Sequence, residues 1–216
     1  MKRKKIYLIA ATLTLCIAIG VAGTFAFLTN SADPVKNTFI AAGGNKLISD
    51  PNSFTLDEHE AVPGENGAYT INPEKITNKN DYSIYPGVNV PKDPTVHLSD
   101  LTNAKSLLFI EVVDKTPDAL TCTISSDWTE VEGVTGMHDG KIYSYNNGQI
   151  LSEGFNKDIP VLENNRVLVA NVDDLGLNTS VDFTVYSYLC QASAGAEIGS
   201  ETTTPAQVVV ECGFAE

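Results

Sequence analysis

Residues 107–113 read LLFIEVV, seven positions in which Glu111 is the only charge. A short, almost unbroken apolar run is what a strand covered on both faces looks like, so this segment is expected at the centre of a sheet. Residues 181–189 (VDFTVYSYL) alternate instead. Val181, Phe183, Val185 and Leu189 fall on one face, and Asp182, Thr184, Tyr186 and Tyr188 on the other. That period of two marks a half-buried strand. Further strand candidates are residues 121–125, 141–145, 166–172 and 207–212. Turn-forming groups separate them: Pro86-Gly87, Asp139-Gly140, Asn146-Asn147-Gly148 and Glu163-Asn164-Asn165. No amphipathic helix of three turns stands out beyond residue 26. The pattern predicts an all-β chain, an antiparallel β-sandwich of jelly-roll or Greek-key kind.

Two stretches interrupt this rhythm. Residues 50–81 are rich in Pro, Gly, Asn and Glu with weak periodicity, and read as a loop-rich surface excursion with at most one short hairpin. Residues 192–205 (ASAGAEIGSETTTP) read as a second polar loop before the last strand.

The N-terminus has a different chemistry. Lys2, Arg3, Lys4 and Lys5 precede 18 uncharged residues, 6–23. A cationic start followed by an apolar stretch describes a secretory signal, although this run also reaches the length of a short spanning helix. Thr24 and Ala26 place small residues at the −3 and −1 positions of a cut that would leave Phe27 first. A lipoprotein signal does not fit, because Cys16 follows Leu15 and apolar chain continues beyond it. The expected organisation is a cleaved signal helix, 1–26, and one domain, 27–216.

Cleavage leaves 190 of the 216 residues, enough for one sizeable core, with 10 Lys and Arg against 27 Asp and Glu, a net charge of −17. So acidic a surface argues against binding nucleic acid or an anionic membrane, and leaves membrane contact to the signal segment alone. Cys122, Cys190 and Cys212 remain. An odd number permits at most one intrachain disulfide, and all three are equally readable as small buried hydrophobes.

No catalytic motif emerges. His59, His97 and His138 are isolated in sequence. The cluster Asp57-Glu58-His59-Glu60 lacks the second histidine that zinc-protease chemistry needs, and Pro63-Gly64 follow at once, so it reads as an exposed acidic loop. His97, in an apparent strand after Pro94, reads as structural. Asp173-Asp174 lack the spaced ligands of a calcium loop and read as turn residues. Serine elbows and phosphate-binding glycine loops are missing. No catalytic residue, metal ligand or cofactor is expected.

Three stretches together carry a resemblance. They are Gly23-Thr24-Phe25-Ala26-Phe27-Leu28-Thr29 with Asn37-Thr38-Phe39; Tyr85-Pro86-Gly87 leading into Lys92-Asp93-Pro94-Thr95-Val96 and 107–113; and Trp128, Tyr143-Ser144-Tyr145 and Ile159-Pro160-Val161-Leu162. Over most of its length the chain resembles the TasA/camelysin family of Gram-positive bacteria, whose signals are removed by a SipW-type signal peptidase. It departs from that family at His97, where Asn is common, and in residues 50–81, which have no counterpart. The resemblance implies a secreted protein of the cell surface or biofilm matrix that forms fibres. A free N-terminal segment would add as a strand to the sheet of the next subunit. Here that segment is 27–40, with Phe27, Val35, Phe39 and Ile40 as apolar anchors and Pro34 interrupting the ladder. Alternatively, residues 35–40 are the first strand of their own domain. Some family members are described as metalloproteases, so a camelysin-like peptidase is one alternative function. A monomeric surface adhesin using residues 50–81 is another.

Overall fold

The computed structural model describes residues 29–32, 47–48, 50–65, 68–82, 87–102, 105–115, 120–169, 183–191 and 204–216. The strands are β1 (Thr29–Ala32), β2 (Phe54–Pro63), β3 (Tyr69–Thr77), β4 (Asn89–Pro91), β5 (Thr95–Leu98), β6 (Ser106–Asp114), β7 (Leu120–Thr121), β8 (Trp128–Glu130), β9 (Lys141–Tyr145), β10 (Lys157–Pro160), β11 (Arg166–Val169) and β12 (Phe183–Gln191). One helix, α1 (Pro205–Glu211), follows. Every strand pair is antiparallel.

The LLFIEVV run lies in β6, the middle strand of a five-stranded sheet ordered β1-β12-β6-β9-β8. It is buried from Ser106 to Val113. Its two faces meet different layers. Leu108, Ile110 and Val112 join a core that also holds Phe54 and Leu56 of β2, Val96 and Leu98 of β5, Ile159 of β10 and Val167 of β11. These come from the other two sheets, ordered β10-β5-β2-β3 and β4-β11-β7. Leu107 and Phe109 face the opposite way, into a smaller core with Ile142, Tyr188, Cys190 and the α1 residues Val208 and Val209. A strand between two apolar layers has no solvent face on which to alternate, which is why its sequence does not.

The same layering changes the reading of β12. Val185 and Leu189 face the larger core as the alternation predicts, but Tyr188 and Cys190 on the other face are also buried, beneath α1. The strand is half-buried at Phe183, Thr184, Tyr186 and Gln191, and buried from Ser187 to Cys190.

Residues 207–212 are a helix, not a strand. Val208, Val209 and Val210 suit a sheet by propensity, but the residues before them fix a helical start. The Thr204 side chain accepts from the Gln207 N–H, the Gln207 side chain accepts from the Thr204 N–H, and Pro205 fills the first turn. This reciprocal box satisfies donors that a helix end leaves orphaned. Val208, Val209 and Cys212 then face the sheet.

Residues 50–81 are also more regular than predicted. β2 and β3 form a long hairpin, and β2 pairs through its first half with β5. The register shifts between His59 and Glu60, so that Glu60 faces Asn72 while His59 faces Ile76. Residues 73–75 bulge out there, and Pro73, which has no N–H to donate, accounts for the break. The acidic cluster 57–60 is therefore strand, not exposed loop, and Glu58 points inward with Phe54 and Leu56.

The predicted turns hold. Asp139, Asn146, Asn147, Asn164 and Asn165 all have positive φ, as does Gly87. Of residues 121–125, only Thr121 lies in a strand, at the end of β7, and Ile124 makes an isolated bridge to Leu162. Asp173 and Asp174 lie outside the described residues, as do 1–26. Among the described residues, no helix is long and apolar enough to cross a membrane. Cys122, Cys190 and Cys212 are all thiols.

Candidate functional site

The cut-site residues Thr24, Ala26 and Phe27 lie outside the described residues, as do Val35, Phe39 and Ile40. Within the segment 27–40, the described part is β1. It pairs with β12 in the register Thr29↔Cys190, Asn30↔Leu189, Ser31↔Tyr188 and Ala32↔Ser187. It is the edge strand of the five-stranded sheet, and four residues long where β12 has nine.

Beneath this edge, Glu111 organises the other face of the sheet. Its side chain is wholly buried yet accepts from three backbone or side-chain donors of firm identity: the His138 N–H at 2.8 Å, the Gly140 N–H at 3.0 Å and the Tyr188 hydroxyl at 2.6 Å. His138 Nδ1 lies 2.9 Å from Oε2. The loop 136–140 closes around this group so tightly that a Cβ on Gly136 would stand 2.3 Å from the Glu111 carboxyl. A Cβ on Gly140 would meet Glu111 Cγ at 2.6 Å and the Val112 carbonyl at 2.8 Å. On its outer side the loop is tied to the C-terminal residues. Thr135 exchanges backbone hydrogen bonds with Glu216, and the Met137 N–H donates to Phe214 O. Stacked rings finish the assembly, His138 on Tyr186 at 3.8 Å and Tyr188 on Phe214 at 4.3 Å. A carboxyl group that orients an imidazole is half of an acid–base constellation, but no serine, cysteine or threonine hydroxyl or thiol is hydrogen-bonded to His138 among the described residues. The arrangement acts as a fastener between β6, β12 and the C-terminal segment.

The other two histidines are likewise paired with carboxyl groups. His59 Nδ1 lies 2.7 Å from Asp93 Oδ2, and its N–H donates to Asp93 Oδ1 at 3.0 Å. His97 bridges three neighbouring strands, with Nε2 3.1 Å from Asp57 on β2 and Nδ1 2.6 Å from Asp158 on β10. The hydrogen bond to Asp57, opposed by burial and aided by Asp158, pushes the imidazole up to about 9. His97 thus ties β5 to the strands on either side of it.

Glu58 and Lys92 form a buried ion pair at 2.9 Å, and Lys92 Nζ also lies 5.8 Å from the centre of the Phe183 ring. One cation therefore joins β2 to the start of β12. Tyr82 donates to Pro91 O beside this pair, and burial, with Glu58 and Asp93 nearby, pushes its hydroxyl well above the usual range. Among the described residues, no three His, Cys, Asp or Glu side chains converge as a metal site. Comparison with family models, with curated proteins and with solved structures gave no significant match.

Proposed function

We propose that this chain is a secreted structural protein of the cell surface or biofilm matrix. It self-associates into filaments by donor-strand addition, in the manner of a TasA/camelysin-like jelly roll. The observation that carries this reading is β1, an edge strand of four residues laid on β12 just beyond the candidate cut site. A strand so short and so near the N-terminus is exchangeable. The same main-chain hydrogen bonds form whether the segment comes from its own copy or a neighbour. Head-to-tail exchange whose rotation does not close into a ring extends into a fibre. A SipW-type signal peptidase is the export partner, and cleavage after Ala26 frees the segment to pair. The acidic mature chain needs neither nucleic acid nor a lasting membrane contact.

The test is electron microscopy of residues 27–216 and of 33–216, which lacks β1. Filaments from the first and none from the second support donor-strand exchange. Soluble monomers from both, at all concentrations and pH values, overturn it and favour an adhesin. Chelator-sensitive cleavage of casein would replace the structural reading with a peptidase.

A further inference from the structure

Cys190 and Cys212 come from distant parts of the chain yet share one buried cluster. Cys190 lies in β12 with its side chain fully covered, opposite Thr29 of β1. Cys212 caps the C-terminus of α1, and its backbone N–H bonds to Val208 O and Val210 O. The helix docks on the sheet through Val208, Val209 and Cys212, which gathers the two thiols into one buried cluster. Cys122 belongs to the periphery of the other core, across the sheet.

We infer that Cys190 and Cys212 form the one disulfide of this chain, stapling α1 to β12 and leaving Cys122 as the free thiol. The packing of a helix on a sheet encloses both thiols in one small core, where a disulfide would staple the two elements together. The oxidant is a low-molecular-weight disulfide such as oxidised glutathione. The Cys212 sulfur, at the helix end and nearer the surface, attacks as thiolate and expels one glutathione thiolate. Cys190 then loses its proton, attacks the Cys212 sulfur and expels the second. Two thiols are oxidised and one disulfide is reduced, with two protons released. Burial pushes the Cys190 thiol up, which makes it the poorer first nucleophile and sets this order. The link forms while the chain folds, before α1 seals the site. The closed loop spans residues 190–212.

The test is refolding of residues 27–216 from urea in a reduced and oxidised glutathione mixture, followed by alkylation in denaturant. No Lys or Arg follows Arg166, so trypsin would leave both cysteines on one peptide; a Glu-specific protease separates them after Glu197 and Glu201. The expected map has Cys190 joined to Cys212 and Cys122 alkylated. Cys122→Ser retains the link, and its melting temperature falls by about 5–10 °C when reductant is added. Three alkylated thiols in the refolded protein, or a link that includes Cys122, would overturn the assignment. Cys122→Ser also guards against misfolding, since it leaves the proposed pair intact.

Discussion

The Tyr188 hydroxyl donates to Glu111 at 2.6 Å, joining side chains 77 residues apart on adjacent strands of the central sheet. Tyr188→Phe removes that bond and the hydroxyl's 3.3 Å contact with His138 Nδ1, whereas Glu111→Gln removes the charge and, with its oxygen kept on the two backbone N–H donors, turns an NH2 toward the Tyr188 hydroxyl and His138. We expect Tyr188→Phe to lower unfolding free energy by about 2 kcal/mol and Glu111→Gln by about 3 kcal/mol or more. Urea titration with both variants checks this. A loss below about 0.5 kcal/mol in both would mean that the buried carboxyl group is not a fastener.

Lys92 and Glu58 give a sharper contrast, because the pair is almost fully buried. Lys92→Met strands Glu58 in the core and should cost about 3–5 kcal/mol. Adding Glu58→Leu should recover most of that loss, since a packed apolar pair dispenses with burying two charges. A double variant as unstable as Lys92→Met alone would contradict the argument.

His97 makes stability depend on pH. Its folded value, about 9, lies above the ordinary 6.5, so the contribution is complete below pH 6.5 and disappears as pH rises through 9. The imidazole is 36% exposed, so solvent screening reduces the effect to about 1 kcal/mol. Denaturant unfolding at pH 6 and pH 9.5 should show that difference shrink in His97→Asn. An unchanged pH dependence would assign it to other groups.

Ser187 faces Ala32 in the β1–β12 ladder, and its buried hydroxyl oxygen has no hydrogen-bond partner among the described residues. Ser187→Ala should therefore leave stability unchanged or raise it by about 1 kcal/mol. A loss above about 1 kcal/mol would reveal an acceptor that the described residues do not supply.

What the sequence made legible depended on whether a signal was local. β6 and β9 were readable because apolar runs and flanking turns sit side by side, and the asparagines with positive φ were readable from residue type alone. The hairpin from Phe54 to Thr77 was not. Glu58 takes an inward position that periodicity reserves for an apolar residue, and Pro73 breaks the register. α1 was hidden because three valines outweigh, by propensity, a capping box set within a threonine run. The candidate site divides in the same way. Glu111 was visible as a charge inside LLFIEVV, but His138 is 27 residues onward and Tyr188 77, distances at which no pattern along the chain announces a partner.

The position of β6 also shapes how the chain reaches its fold. Its neighbours in the sheet are β9, about 30 residues later, and β12, about 75 later. Late partners leave LLFIEVV unpaired while the rest of the chain emerges, and such a segment is what drives aggregation. Glu111 is the one residue in that run that resists it, as a gatekeeper charge in the extended chain. The side chain that fastens the finished sheet is therefore also the one that keeps its central strand soluble until β12 arrives.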